Sequence, residues 1–395
     1  MHKMPIFRFS FAAVMAAFLL LPACEKPFEG PNTIQGNGKQ FDLDVFETNV
    51  VNGLGDQWAG YAYAISQNGQ LRRDGAFGKR VSVADGNVNF EVGSPVYGAS
   101  VNKVMTAVAM LKILEAKGNG TADGWLNATI AQFLPPNWNF GPNSANITFR
   151  QLIQHRSGIA SDAAIDYAGL RTLIATGTSA DKSYNYSNAN YALLRILIAR
   201  MGSNVPANNL NDDTNAANVL GGFRKYMEDH LFDPFNIKVN TRPFGTSPAL
   251  YYGWGNLSNG WNMGDMTNRL GNGGFYFSAL DAARFLSFLN HSEQVISKNT
   301  RQLMYDQFLG WSDGNQPQNE PKGEYGTYYY KNGSFCSAVN GGGCSGRGVR
   351  NIIAAFPHNG VEVAIMANSR GGNMDNSTQL RAMLRNAYDS AWVKK

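Results

Sequence analysis

Ser100 and Lys103 stand three residues apart in Gly98-Ala-Ser-Val-Asn-Lys103, directly ahead of an apolar run. Three residues is close to one helical turn, so a hydroxyl and an amine would project from one helix face. A serine hydroxyl is a weak nucleophile until a neighbouring base takes its proton, and a desolvated lysine can serve as that base. A helix N-terminus adds orphan N–H groups and partial positive charge where an oxyanion would develop. The pattern is short, and Ser179-Ala-Asp-Lys182 repeats it in a polar Gly/Thr/Ser stretch with no apolar helix after it. The first copy is followed by Val104, Met105, Val108, Leu111 and Leu114 at helical spacing, ending at Gly118. Ser100 is therefore the candidate nucleophile and Lys103 its candidate base.

Further stretches extend the pattern. Ile147-Thr-Phe-Arg-Gln-Leu-Ile-Gln-His155-Arg-Ser-Gly158 follows the first helix, then Tyr184-Asn-Tyr-Ser-Asn188-Ala-Asn-Tyr191, then Asn272-Gly-Gly-Phe-Tyr-Phe-Ser278-Ala-Leu-Asp281. In this order the motifs resemble the serine β-lactamase and penicillin-binding-protein superfamily. Within it they resemble the branch of class C β-lactamases, D-alanyl-D-alanine carboxypeptidases and similar esterases. The resemblance spans roughly residues 45 to 390. It implies an α/β (α+β) fold of the β-lactamase/transpeptidase type. An antiparallel sheet built from both chain ends would carry flanking helices and an inserted helical region. It also implies that Tyr186, in Tyr186-Ser187-Asn188, is a second candidate base and that Asn188 bonds substrate or Lys103. An isolated tyrosine has a pKa near 10, so such a role needs nearby cations. His155 would be structural. The family's third motif, a Lys, His or Trp two residues before Gly, maps to Lys331-Asn332-Gly333-Ser334, with a competing register at Asn340-Gly341-Gly342. The first register would make Lys331, Gly333 and Ser334 substrate- and oxyanion-binding residues, the oxyanion held by the N–H groups of Ser100 and Ser334.

The elements that must position these residues are partly legible. Tyr61, Tyr63 and Ile65 alternate before Asn68-Gly69, a type I′ turn signal, so residues 58–78 read as a hairpin. Helices are expected over 101–117, 127–174 with long connections, 190–201, 222–231, 279–289 after Ser278, and 378–392. Strands are expected over 325–330, 351–356 and 361–366. The Asn/Asp/Gly/Pro-rich stretches 204–220 and 310–325 read as surface loops.

The first 24 residues read as a targeting segment. His2, Lys3 and Arg8 precede the apolar run from Phe11 to Leu21, which is too short to span a bilayer. Leu21-Pro22-Ala23-Cys24 resembles the bacterial lipobox, which implies lipidation of Cys24. The domain plan is then a signal peptide (1–24), a tether (25–40) and a hydrolase domain (41–395) with its helical insertion at about 118–300. Cys336 and Cys344 flank a Gly-rich turn and are expected to pair in an oxidising envelope.

Composition excludes several classes. The 395 residues hold 34 Lys+Arg against 29 Asp+Glu, a net +5 with no basic run, so no nucleic-acid partner is expected. With 44% apolar and 16% charged residues the chain is no disordered polyelectrolyte. No His-Glu-x-x-His occurs, so no metal or cofactor is expected. The sequence thus points to a lipid-anchored envelope serine hydrolase forming an acyl-enzyme on Ser100. Its substrates would be amides, esters or D-Ala-D-Ala-type peptides, with the membrane reached through the N-terminal lipid. The alternatives are a class C-like β-lactamase and a non-catalytic penicillin-binding-like lipoprotein.

Overall fold

The computed structural model describes residues 38–206, 211–253, 255–311, 325–337, 346–371 and 377–394. The chain opens with β1 (Lys39–Phe41), α1 (Leu43–Leu54), β2 (Gly60–Gln67), β3 (Gln70–Val81), β4 (Val88–Asn89) and β5 (Val96–Tyr97). A 3-10 turn (Ala99–Val101) leads directly into α2 (Asn102–Lys117). The middle holds α3 (Asp123–Leu126), α4 (Phe149–Ile153), α5 (Tyr167–Thr176), α6 (Asn188–Gly202) and α7 (Asp212–Met227). Next come β6 (Tyr251–Gly253), β7 (Asn256–Trp261), β8 (Tyr276–Phe277), α8 (Ala279–His291) and α9 (Lys298–Asp306). The chain closes with β9 (Tyr329–Cys336), β10 (Gly348–Phe356), β11 (Val361–Ala367), α10 (Ser377–Asp389) and β12 (Trp392–Lys394).

The main sheet has the order β4-β3-β2-β11-β10-β6-β7, with β9 also paired along β10, and its pairings are antiparallel. Both chain ends therefore meet in one sheet, as expected, and β1 pairs with β12 to tie the termini together. The β2–β3 turn is the type I′ turn its residues specify: Asn68 has φ 53° and Gly69 φ 75°.

Each face of the sheet buries one layer. Tyr61, Tyr63 and Ile65 of β2 join Phe46, Val50, Leu384 and Tyr388 under α1 and α10. The small residues between them, Ala62 and Ala64, face the larger core of α2, α6 and α8. Caps set the helix starts: Asp42 accepts from the N–H groups of Asp44 and Val45, and Ser278 with Asp281 forms a capping box on α8. Helix α2 is buried almost all round, as its apolar composition requires. Each large side chain it buries there contributes about 1.5–3 kcal/mol.

Several expectations are corrected. Residues 127–174 are broken into a 3-10 turn and the short helices α4 and α5, because Pro135, Pro136, Gly141 and Pro142 cannot continue a helix. The stretch 204–220 is not all loop: α7 starts at Asp212, capped by Asn211, whose side chain accepts from the Thr214 N–H. Most of its polar residues lie on the outer face of a helix, with Asn215 buried. The inserted region is not purely helical, since β6 and β7 extend the main sheet and β8 pairs with β5. The strand expected at 325–330 lies further on, at Tyr329–Cys336, so the Lys331–Ser334 motif sits within it. Helices α1 and α9 were not expected at all. Residues 312–324, the 340–342 register, Cys24 and Cys344 lie outside the described residues. Among the described residues no helix is long and apolar enough to cross a membrane.

Candidate active site

Ser100 lies on the 3-10 turn that feeds α2, just after Ala99, which has φ 47°. A positive φ is uncommon outside glycine and marks a backbone held in place by its surroundings. Here the restraints are visible. The Asn102 amide donates to the carbonyls of Ala99 and Phe275, and the Gly98 N–H donates to the Phe275 carbonyl. The turn is thereby stitched to the segment 271–275 before it delivers Ser100 to the cleft.

Lys103 is fully buried on the first turn of α2. Its Nζ donates to Ser100 Oγ at 3.0 Å, Asn188 Oδ1 at 2.9 Å and the Asn272 carbonyl at 2.7 Å. Three acceptors match the three protons of an ammonium group. The sequence reading missed the Asn272 carbonyl, which is a backbone group. Its signal was the glycine pattern Gly271-Asn272-Gly273-Gly274. A Cβ at Gly271 would lie 2.5 Å from the Tyr191 carbonyl, and one at Gly273 2.6 Å from the Tyr97 hydroxyl. Only glycines let this segment come close enough to face Lys103.

Tyr186 arrives from the segment preceding α6, and its hydroxyl is 2.8 Å from Ser100 Oγ. Either oxygen can be the donor. Lys103 Nζ lies 5.1 Å and Lys331 Nζ 5.4 Å from the centre of its ring. Two ammonium groups at that range stabilise negative charge developing on the phenol. Tyr191 serves as an internal control: it is completely buried, donates to the Ile153 carbonyl at 2.9 Å, and burial pushes its phenol well above the usual range. Tyr191 is a core residue, whereas Tyr186 is half-buried and open to the cleft.

Strand β9 closes the cleft. Along it Lys331, Gly333 and Phe335 share one face, because side chains alternate along a strand. Lys331 is buried, and a Cβ at Gly333 would lie 2.5 Å from the Gly98 carbonyl. The strand can approach the Ser100 turn this closely only because residue 333 has no side chain. Ser334 follows, exposed. The structure thus brings Ser100, Lys103, Tyr186, Asn188, Lys331 and Gly333 together, with Ser334 next along the same strand. Cys336 ends β9.

His155 sits behind Tyr186, with ring centroids 4.4 Å apart. Its Nδ1 accepts from the Ser187 N–H at 3.2 Å. Burial, and then the charges of Lys331 and Lys103, hold its pKa well below the ordinary 6.5, so the ring is neutral. Among the described residues no group of three His, Cys, Asp or Glu side chains could hold a metal ion.

Residues 46–387 match the family model described as Beta-lactamase. The chain belongs to the β-lactamase family. This β-lactamase-family chain carries the family's serine hydrolase fold, and solved structures agree. The β-lactamase/D-alanine carboxypeptidase from Yersinia pestis is 15% identical, with a TM-score of 0.63 over 89% of this chain and 99% of that one. A class C β-lactamase from Rhodobacter sphaeroides is 13% identical, with a TM-score of 0.58 over 88% and 97%. EstCE1, a hydrolase with promiscuous acyltransferase activity, is also 13% identical, with a TM-score of 0.63 over 88% and 99%. Identities this low establish the shared fold. No curated protein sequence gave a match.

Proposed function

We propose that this β-lactamase-family protein is a lipid-anchored envelope serine hydrolase that forms an acyl-enzyme on Ser100. The observation that carries the reading is the hydrogen-bonded trio of Ser100 Oγ, Tyr186 OH and Lys103 Nζ at 2.8 and 3.0 Å. With Tyr186 acting as a phenolate beside the Lys103 ammonium, the Ser100 proton passes to its oxygen while Oγ attacks the substrate carbonyl. The tetrahedral oxyanion is held by the N–H groups of Ser100 and Ser334. Collapse breaks the bond to the leaving group, which takes the proton back from Tyr186. Water, activated by the same pair, then releases the acid and regenerates Ser100. Asn188 holds Lys103 in line, and Lys331 supplies positive charge to the substrate side of Tyr186.

The substrate class is amide, ester or D-Ala-D-Ala-type peptide, with a carboxypeptidase- or esterase-like hydrolase favoured over an efficient β-lactamase. Neighbours described as carboxypeptidase and acyltransferase hydrolase support that breadth. Lipidation of Cys24 and a Cys336–Cys344 disulfide complete the proposal, the disulfide being suited to an oxidising envelope. The Lys331 register is favoured because its glycine makes the close contact with the Ser100 turn.

Labelling with a fluorophosphonate and with a fluorescent penicillin tests the reading. A covalent adduct is expected on Ser100, absent in Ser100→Ala. A persistent penicillin adduct supports the peptidase-like form, rapid release the β-lactamase form, and no adduct with either reagent refutes the acyl-enzyme. Cys24→Ser is expected to release the protein from the membrane fraction.

A further inference from the structure

We propose that His155 is the positioning residue for Tyr186, an imidazole that fixes the phenol against Ser100 by packing against its ring while holding the backbone on both sides of it. The proposal rests on the role given to Tyr186 above and adds a second, buried layer to the site.

Four contacts tie residue 155 to the segment that carries the phenol. The His155 carbonyl accepts from the Asn185 N–H at 2.9 Å, and its Nδ1 accepts from the Ser187 N–H at 3.2 Å. The residues before and after Tyr186 are therefore both anchored to one histidine. Between these anchors the imidazole lies against the Tyr186 ring, with centroids 4.4 Å apart and planes 34° apart. Asn190, on the first turn of α6, brings its amide to 3.3 Å from the same Nδ1, joining the helix to the anchor.

His155 has φ 56° because it ends α4 in a left-handed stop, its own N–H donating to the Leu152 carbonyl and the Arg156 N–H to that of Gln151. One feature separates the arrangement from ordinary packing. His155 Nε2 is buried with no hydrogen-bond partner among the described residues. A histidine whose Nδ1 accepts carries its proton on Nε2, so the site leaves a donor unsatisfied, which is costly in a core. Phenylalanine would avoid that cost and still stack on Tyr186. What it lacks is an acceptor for the Ser187 N–H. The need for ring and acceptor at one position selects histidine.

The charged and titratable groups around the ring keep it in the working form. Lys331 and Lys103 both oppose a third positive charge, and the remaining titratable neighbours are the phenols of Tyr184, Tyr186 and Tyr191. A protonated His155 would lose the Nδ1 acceptor and release Ser187. The same two lysines that polarise Tyr186 therefore also protect the acceptor that positions it.

His155→Asn is the informative variant. Seven of the ten non-glycine residues with positive φ among the described residues are Asn, so the backbone at 155 accepts it. Its Oδ1 can still take the Ser187 N–H, but the ring is lost. The expected result is a kcat for a neutral p-nitrophenyl ester reduced about 10- to 100-fold, with KM within about 2-fold of wild type. His155→Gln, with a longer amide, serves as a second variant, each being assayed well below its own thermal midpoint. The decisive measurement is the double-mutant cycle with Tyr186→Phe. If His155 acts through the phenol, adding His155→Asn to Tyr186→Phe costs no more than about 2-fold further. Full additivity, or a folded His155→Asn enzyme with wild-type kcat, overturns the positioning role. A Tyr186→Phe enzyme as fast as wild type would instead sink the role of Tyr186 itself, and His155 with it.

Discussion

The chain carries the same four-residue pattern twice, and the two copies have opposite surroundings. Ser100 stands on a restrained 3-10 turn at the head of a buried helix, and Lys103 is fully buried with oxygens of Ser100, Asn188 and Asn272 around its ammonium. Ser179 is exposed on a segment without a helix, and its Oγ accepts the Asp181 N–H in a local turn. Lys182 is half-buried and donates to the carbonyls of Ser157 and Ser179 at 2.7 and 2.9 Å. One lysine is aimed at a hydroxyl beside a phenol. The other ties a loop to backbone. Spacing delivers a pair of groups, but burial and a third partner turn the pair into a reactive centre.

The contrast is most exposed at the two serines. Ser100→Ala is expected to lower esterase turnover roughly 10,000-fold or more, as removal of a nucleophile does, while Ser179→Ala stays within about 2-fold of wild type. Comparable losses in initial-rate assays would erase the distinction between the copies.

The lysines should separate by kind of effect as well as size. Lys103→Met is expected to cost about 100- to 10,000-fold in kcat, the range for loss of acid–base assistance. Lys182→Met removes two backbone tethers and is expected to cost about 1–2 kcal/mol of stability, with kcat almost unchanged. Urea unfolding read beside kinetics would show whether the two effects sort this way.

The smallest effect concerns pH. His155 is neutral in the fold because burial and the two lysines lower its pKa below 6.5. Below that pH the unfolded chain binds a proton that the native state refuses, so stability should fall as pH drops, by at most about 1.4 kcal/mol per pH unit from this group. Lys103→Met removes one opposing charge and should make that loss shallower, whereas Lys182→Met should not alter it. Identical slopes for both variants, measured between pH 7.5 and 5.5 by urea midpoints, would show that Lys103 does not act on His155.

Much of the site was legible because its residues belong to local patterns. Ser100 and Lys103 share a helical turn, Tyr186 and Asn188 flank a helix cap, and the Asn68-Gly69 turn fixed the opening hairpin. What escaped was non-local or depended on context. The Asn272 carbonyl has no side-chain signature, and the grip of His155 on residues 185 and 187 joins elements about 30 residues apart in sequence. Helix α7 was hidden because its outward face is polar, and β9 because a glycine inside a strand reads as a turn.

By itself the sequence determined which groups carry the chemistry and which local elements present them, since these follow from residue type and short-range spacing. Only the tertiary structure decided that Ser100, from one end of the chain, would meet Tyr186 from the middle and Lys331 near the other. That meeting depends on antiparallel pairing of both chain ends and on glycines that let β9 and the 271–274 segment close on α2. Those are packing constraints summed over the whole core, and no window of sequence contains them.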